Sequence, residues 1–437
     1  MNLKKLIGLV VFPVFIIANC RAQDTLLTLK DAVEIALKNN YHIQLAKNNT
    51  AIAQNNVTRG NAGMLPVVTG NFTQSNSTQN VNQTTTAGPK SLSGNHTSNL
   101  SAGPNLNWTI FNGFGMFANY DQLKTLNQLS QVMLRDTVLI TVSNVMATYY
   151  NLISQYQQLK ALKGAMSISR TQLRYANDKF QVGSASRLDV LNAQVNLNTD
   201  TANYLNQLQQ FKATKVQLNQ LLVRDLCSNF TVADTIIVDE KLTLGDILGK
   251  AQSQNQVILA AEINKRLSEI NLRQVKAGRY PQVALNGGYA VTTSSNPAGF
   301  ARSQNTNGFT YGVTASINIF NGFNQNRLER NAKISIENAE LNRKQASLNV
   351  EAQINNLYIS YLSGLDLIKL GESNVTIAKK NLDISLDKYK LGNITPLEIR
   401  EAERNYLDAE SKFFDAQYQS KIAEITLKQI TNSIDIQ

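Results

Sequence analysis

Phe111-Asn112-Gly113-Phe114 recurs as Phe320-Asn321-Gly322-Phe323, 209 positions further along the chain (111 to 320). A second pair keeps the same offset, since Phe180-Gln181-Val182-Gly183 matches Tyr389-Lys390-Leu391-Gly392. The stretches between these pieces contain no proline, which an interior helical position does not tolerate. The sequence therefore predicts two copies of one unit, each with a long helix, a tight turn and a second helix.

The first 22 residues have the features of a secretory signal peptide. Lys4 and Lys5 precede an apolar stretch at 6–18, and small residues precede an expected cleavage after Ala22. The stretch is too short for a transmembrane anchor. Cys20 is an alternative lipidation site, although the asparagine before it is not the small residue that lipoprotein signals prefer. We therefore expect an exported protein.

Composition argues against several classes of function. The formal charge is +11, but the basic residues are dispersed among acidic ones, as on solvated helix faces, so no nucleic-acid partner is expected. After cleavage only Cys227 remains, so no internal disulfide is expected. His42 and His96 have no other metal ligands at suitable spacing. No nucleophile, phosphate or dinucleotide motif is present, so we expect no enzyme, cofactor or metal site.

Each unit also contains a shorter helix followed by two segments in which apolar and polar residues alternate. Such alternation predicts strands with one apolar face. Polar segments between the strands, at 75–96 and 293–307, are expected to be long external loops. The expected helices are Thr28–Gly63 and Thr243–Gly278, and the expected strands lie at about 66–76, 98–111, 281–293 and 308–320.

Two interpretations of these strands compete. One is a water-soluble sheet over a core. The other is a membrane β-barrel, whose interfaces carry aromatic residues, here Trp108, Phe111, Phe309 and Phe320. Four strands cannot close a membrane barrel, and an open edge is not tolerated in lipid. A membrane barrel would therefore require several copies of the chain.

The long helices carry two apolar seams each. One seam includes Val138, Val145 and Leu152, and the other includes Met133 and Ile140. Because these ladders are two positions apart, at about 100° per residue they lie on nearly opposite sides of the helix. The remaining faces are polar, which argues against a helix buried within a bundle. Two separated seams favour a cylinder in which each helix has a neighbour on both flanks.

The two helix turns combine glycine with acidic residues. Gly183 and Gly392 fit the left-handed position after a helix. Asp189, paired with Ser186, and Glu398, paired with Thr395, are expected to cap the following helices. Repeated by symmetry, carboxylates here would also form an acidic ring at the narrow end of a conduit. The candidate residues for that entrance are Asp189, Asn192, Glu398 and Glu401.

The order of elements resembles the TolC family of outer-membrane efflux proteins. The strand-to-helix pieces at 110–114 and 319–323 and the turn pieces at 180–193 and 389–399 carry the resemblance, which covers nearly all of 25–432. It implies an α+β membrane protein: a homotrimer with a twelve-stranded β-barrel in outer-membrane lipid and a twelve-helix α-barrel across the periplasm. The implied division is a signal peptide at 1–22, a first repeat at 23–224 with long helices 112–182 and 187–224, an equatorial segment at 225–242, and a second repeat at 243–437 with long helices 321–391 and 396–432.

The resemblance further implies that the closed tip opens when an inner-membrane pump and a periplasmic adaptor engage it, in tripartite efflux or type I secretion. Glu398 and Glu401 occupy the positions of the family's entrance acids, whereas Ile394 replaces its basic residue in that turn. The alternative is a secreted trimeric coiled-coil stalk or adhesin. That alternative predicts one merged apolar stripe per helix and no duplicated strand pairs.

Overall fold

The computed structural model describes residues 25–86, 88–299 and 301–434. The expected signal peptide, with Cys20, lies outside the described residues. The elements are β1 (Thr25–Leu26), α1 (Leu29–Asn39), α2 (Tyr41–Asn55), β2 (Val67–Thr85), β3 (Gly88–Asn112), α3 (Gly115–Gln181), α4 (Arg187–Leu222), β4 (Phe230–Thr231), α5 (Leu244–Gln254), α6 (Gln256–Ala277), β5 (Gln282–Ser295), β6 (Ser303–Ser316), α7 (Asn324–Lys390) and α8 (Pro396–Ile430).

Two helices of 67 residues, α3 and α7, dominate the molecule. At about 1.5 Å per residue, each is about 100 Å long. Each follows two consecutive residues with positive φ, Gly113 and Phe114 before α3 and Gly322 and Phe323 before α7. This left-handed pair turns the chain out of the strand. The helices therefore start three residues later than the expected positions 112 and 321.

The helices that precede the strands are interrupted, which corrects the single helices expected over 28–63 and 243–278. Asn40 and Asn255 leave the helical region, with ψ of 126° and 127°. The Oδ1 atom of Asn40 accepts hydrogen bonds from the N–H groups of His42 and Ile43, and Asn255 caps α6 in the same way. Because each asparagine ends one helix and caps the next, the apolar periodicity continues across the break.

The main sheet has four antiparallel strands in the order β2-β3-β5-β6. Its register pairs Trp108 with Leu285 and Tyr289 with Phe309. Directly opposed residues point to the same face, so the apolar residues of the four strands form one continuous face. On the edge strand β6, Phe309 is 80% and Tyr311 91% exposed. This exposure contradicts the interpretation of a water-soluble sheet, in which the apolar face would cover a core.

The strands extend through segments that the sequence suggests are loops. The expected loop at 75–96 is instead a hairpin, because β2 continues to Thr85 and β3 starts at Gly88. Its polar side chains bond across the strands, as Ser91 does to Asn82 (2.5 Å) and Ser93 to Asn80 (3.0 Å). The second expected loop is also shorter, because β5 continues to Ser295 and β6 starts at Ser303. β6 ends at Ser316 rather than at 320.

The long helices form a row. α3 packs against α4 and α8, and α8 also packs against α7, so the order is α4-α3-α8-α7. One seam is buried inside the chain, including Val145 and Leu152 on α3 and Ile354 on α7. Apolar residues at spacings of seven remain exposed on both end helices: Leu188 and Val195 on α4, and Ile377 and Ile384 on α7. Among the described helices, none combines the length and the apolar character needed to cross a membrane.

The segment 225–242 packs against the middle of the row. Its strand β4 pairs in parallel with β1, and Phe230 and Ile236 are buried in a cluster with Val145 and Leu152 of α3. A second cluster surrounds Ile354, Tyr361 and Leu427 of α7 and α8. The apolar core is therefore a belt at mid-length, and the helix ends depend on other contacts.

Candidate functional site

The two helix turns lie at the same end of the row. The ammonium of Lys179, near the end of α3, lies 5.0 Å from the ring centre of Tyr389, near the end of α7. Tyr389 is buried, and its burial together with the nearby charge of Asp189 raises the pKa of its hydroxyl. The structure therefore brings the end of α3 and the end of α7 together, a contact that the spacing of motifs alone does not reveal.

The first turn, between α3 and α4, is held by local hydrogen bonds. Gly183 has φ of 74°, in the left-handed region. Oδ2 of Asp189 accepts hydrogen bonds from the backbone N–H (2.9 Å) and the hydroxyl (2.8 Å) of Ser186. In return, the N–H of Asp189 donates to the Ser186 hydroxyl (3.2 Å). These bonds stabilise the carboxylate form, so they lower the pKa of Asp189.

The second turn, between α7 and α8, repeats this arrangement. Gly392 has φ of 81°, and Pro396 occupies the first helical position. Oε2 of Glu398 accepts hydrogen bonds from the N–H (2.7 Å) and the hydroxyl (2.8 Å) of Thr395, and these bonds lower the pKa of Glu398. Both capping acids are therefore ionised at neutral pH.

The other two candidate residues follow the caps along the helices. Asn192 on α4 and Glu401 on α8 are exposed. Within one chain the carboxylates of Asp189 and Glu398 stay on their separate turns, each bonded to its own cap residue. The chain therefore presents its acids towards one end without assembling them into a closed pocket.

A buried ion network, which we call the Arg400 cluster, lies beyond the turns and consists of Arg400, Asp200, Glu403, Ser169 and Gln172. The Arg400 guanidinium donates to both oxygens of Asp200 (2.7 and 2.8 Å) and to Oε2 of Glu403 (3.2 Å). Ser169 donates to Asp200, and Gln172 donates to Glu403 (3.4 Å). The cluster joins α8 to α3 and α4.

Burial dominates the chemistry of this cluster. Glu403 is completely buried, and desolvation raises its pKa to about 7 despite the nearby guanidinium. The pKa of Arg400 is raised, first by its hydrogen bonds to Asp200. These residues are not among those predicted from the sequence. The signal that the sequence does carry is a set of charged groups on the faces of α3, α4 and α8.

The aromatic candidates occupy two levels of the sheet. Phe111 packs edge-on against Phe114 and Phe320 against Phe323, both at the junction of strand and helix. The indole N–H of Trp108 donates to the carbonyl of Met64 near the same junction (3.0 Å). Phe309, opposite Tyr289, lies six residues along β5 from the partner of Phe111, which is about 20 Å at strand spacing.

Comparison with solved structures identifies the class. The Campylobacter jejuni CmeC outer membrane channel matches with a TM-score of 0.80 at 18% identity, covering 93% of this chain and 85% of that chain. The outer-membrane channel OprN matches with a TM-score of 0.77 at 17% identity, covering 93% and 90%. The fold is therefore that of TolC-like outer-membrane channels, as expected from the sequence.

The sequence comparisons are more specific. The model of the family described as "Outer membrane efflux protein" matches residues 32–223 and 247–433, and the chain belongs to this family. Outer membrane protein TolC of Vibrio cholerae is 22% identical over 300 residues, which is 68% of either chain. Cation efflux system protein CusC of Escherichia coli is 23% identical over 324 residues, 72% of this chain and 69% of that protein.

Family membership sets the general role and location. The family consists of passive efflux channels rather than enzymes, and its members are outer-membrane proteins that extend into the periplasm. Within residues 25–86, 88–299 and 301–434, no three His, Cys, Asp or Glu side chains are grouped so that they could hold a metal ion.

Proposed function

We propose that three copies of this chain close into one water-filled duct, which serves as the outer-membrane exit of a tripartite efflux or type I secretion system. A periplasmic adaptor and an inner-membrane pump would open it and supply the energy. The observation that carries the proposal concerns the edges of the sheet and of the helix row. Each consists of four elements, and its two outermost elements have no neighbour on one side within the described part of the chain.

The sheet supports closure between copies. Its edge strands are β2 and β6, and the strand directions alternate across the order β2-β3-β5-β6. β6 of one copy can therefore pair antiparallel with β2 of the next. Three copies supply twelve strands, an even number within the range of membrane barrels. The continuous apolar face would then contact lipid, and the two aromatic levels would lie near the two interfaces, since the apolar band of such barrels is about 25 Å tall.

The helix row supports the same assembly. Its end helices, α4 and α7, carry exposed apolar ladders, which would be buried if α4 of one copy packed against α7 of the next. Three copies would then form a tube of twelve helices. Its length of about 100 Å would be spanned by α3 and α7, and the shorter α4 and α8, of 36 and 35 residues, would fill the wall along about half of that length. Such a tube is long enough to cross an aqueous compartment rather than a bilayer.

The acids at the turns would repeat around the axis of this tube. Asp189 and Glu398 are held ionised by their caps, and Glu401 is exposed beside them. Threefold repetition of these carboxylates would make a cation-preferring constriction. A role in capping and a role in ion selection are compatible, because each capping bond uses one carboxylate oxygen, Oδ2 of Asp189 or Oε2 of Glu398.

Conductance of single channels in planar bilayers tests this function. We expect unitary current steps and a preference for cations that falls in the double variant Glu398→Gln, Glu401→Gln. The matched control Glu240→Gln removes an exposed charge from the equatorial segment and should leave ion preference unchanged. A purified protein that is folded but monomeric, or that gives no unitary steps, would refute the proposal.

A further inference from the structure

A cavity of about 370 Å³ lies between α3 and α8, next to the Arg400 cluster. It is within the size range of small-molecule sites. Its wall is mainly apolar, with Ala161, Leu407 and Phe414, and it also includes Tyr156, Lys160, Glu403 and Glu410. The cavity is therefore an apolar slot that contains acidic groups.

One acidic group in this wall lacks compensation. Glu403 uses Oε2 for Arg400 and Gln172, whereas its Oε1 atom has no hydrogen-bond partner among the described residues. Arg400 is shared with Asp200, to which it makes two shorter bonds. When Glu403 is ionised, one guanidinium faces two buried carboxylates. Burial of such an unbalanced charge is costly unless a further cation or a proton approaches.

The second carboxyl group of the cavity, Glu410, has different charged neighbours. Oε1 of Glu410 accepts a hydrogen bond from the hydroxyl of Tyr406 (2.5 Å). Burial raises the pKa of Glu410, and the hydrogen bond with Tyr406 and the positive charges of Lys379 and Lys160 offset only part of that rise. Its Oε2 atom, like Oε1 of Glu403, has no hydrogen-bond partner among the described residues. Two ammonium groups act on Glu410, whereas Glu403 shares its one guanidinium with Asp200. Glu403 is therefore the group that gains more from a cation entering the cavity.

We propose that this cavity is a binding site for an organic ammonium ion with an apolar, ring-containing body. The ammonium donates to Oε1 of Glu403, and the body lies along Ala161 and Leu407 towards the aromatic rings of Tyr156 and Phe414. A metal ion fits less well, because the cavity offers one free carboxylate oxygen beside Arg400 and a second about 10 Å away at seven helical positions. An apolar wall also favours a carbon skeleton over a hydrated ion.

Proton binding competes with amine binding at this site. Since the pKa of Glu403 is raised to about 7, the carboxylate that the ammonium needs becomes available as the pH rises through neutrality. The charged and polar groups that face it come from every packed element: Ser169, Gln172 and Lys160 on α3, Asp200 on α4, Arg400, Tyr406 and Glu410 on α8, and Asp234 in the equatorial segment.

Calorimetric titration of the purified full-length protein with tryptamine tests the proposal, with tryptophol as the neutral analogue of the same shape. We expect one tryptamine per chain and at least tenfold weaker binding of tryptophol. Glu403→Gln should weaken the binding of tryptamine at least tenfold. Asp408→Asn, which removes an exposed carboxylate from the same helix, should not. Between pH 6 and 8 the wild-type affinity should rise about tenfold, and this rise should disappear in Glu403→Gln.

A second variant separates loss of the site from loss of the fold. Ala161→Leu narrows the cavity and leaves the carboxylates in place, so it should also weaken tryptamine while circular dichroism shows unchanged helix content. Equal tryptamine affinity in wild type and Glu403→Gln, or equal affinity for tryptamine and tryptophol, would overturn the proposal. Conductance need not change in any of these variants, so failure here is distinct from failure of the duct.

Discussion

Substitution of Gly113 by alanine tests how the strand is joined to the long helix. Gly113 has φ of 68°, and a Cβ atom there would lie 2.3 Å from the carbonyl oxygen of Ala277 and 2.7 Å from Cβ of Tyr280. The duplicated position offers a matched control. Gly322 has φ of 63°, but a Cβ atom there would meet nothing within 4 Å. The two positions therefore share the backbone conformation and differ in space.

The expected magnitudes follow from these two contributions. A left-handed conformation costs an alanine about 1–2 kcal/mol, and this cost applies to both variants. Gly113→Ala also forces the end of α6 to move away from the strand, and such overpacking costs about 1–3 kcal/mol more. We expect Gly113→Ala to lower the free energy of unfolding by about 2–5 kcal/mol and Gly322→Ala by about 1–2 kcal/mol.

The assay uses the single tryptophan of the chain. Trp108 precedes Gly113 by five residues and bonds to Met64, so its fluorescence reports this junction. Denaturant titration of the purified protein followed at Trp108 gives the unfolding free energies of the three proteins. Equal losses in the two variants would show that backbone conformation alone requires these glycines, and would refute the argument from close approach to Ala277.

Three further predictions concern the capping and ionic contacts, each measured by unfolding of the purified protein followed by circular dichroism. Asn255→Ala removes the cap of α6 and the hydrogen bond to the carbonyl of Ile430 (3.0 Å), so we expect the free energy of unfolding to fall by about 2 kcal/mol. The control Asn405→Ala, at an exposed position, should lower it by less than about 0.5 kcal/mol. Arg400→Met leaves two buried carboxylates without their cation and should cost about 3–5 kcal/mol, and adding Asp200→Asn should recover part of it; no recovery would mean that the charges are not coupled. The pKa of Glu403 is raised from 4.5 to about 7, so the folded state binds the proton of Glu403 more tightly than the unfolded state does. The resulting contribution to the free energy of unfolding is full below pH 4.5 and is lost as the pH rises to about 7. Over that range the free energy of unfolding of the wild type should fall by about 3 kcal/mol relative to that of Glu403→Gln. A difference between these two proteins that does not change with pH would contradict the burial of an ionisable Glu403.

The duplicated pieces of sequence predict most of the architecture because they state local physics directly. Proline-free stretches, glycine after a helix and the Ser186–Asp189 and Thr395–Glu398 pairs each depend on a few neighbouring residues. The same residues are found as caps in the structure. The alternation of apolar and polar residues predicts the four strands. Because four strands leave open edges, the sequence also predicts that a membrane barrel requires more than one copy of the chain.

The parts that were predicted wrongly depend on features that periodicity does not contain. Asn40 and Asn255 break the helices while their caps keep the pattern of apolar residues intact. The segment at 75–96 has the composition of a loop, yet its Ser, Thr and Asn side chains serve equally well in a hairpin that faces water. Composition alone does not distinguish these two states.

The Arg400 cluster was beyond sequence reasoning for a different reason. Ser169, Asp200 and Arg400 belong to three helices, and their meeting depends on the rotation and relative height of all three. In the sequence, Arg400 and Glu403 are indistinguishable from an ordinary pair on a solvated helix face. Only the packing of α8 against α3 and α4 shows that the pair is buried.

The two flanks of each chain, which differ from one another, have a genetic consequence. β2 and β6 are different surfaces, as are α4 and α7, so every copy must offer one intact flank to each neighbour. A cell that makes equal amounts of sound and flank-damaged protein would complete on the order of one ring in eight from sound copies alone, if mixing is random and three copies form a ring. An allele that spoils a single flank is therefore expected to act dominantly over its normal counterpart.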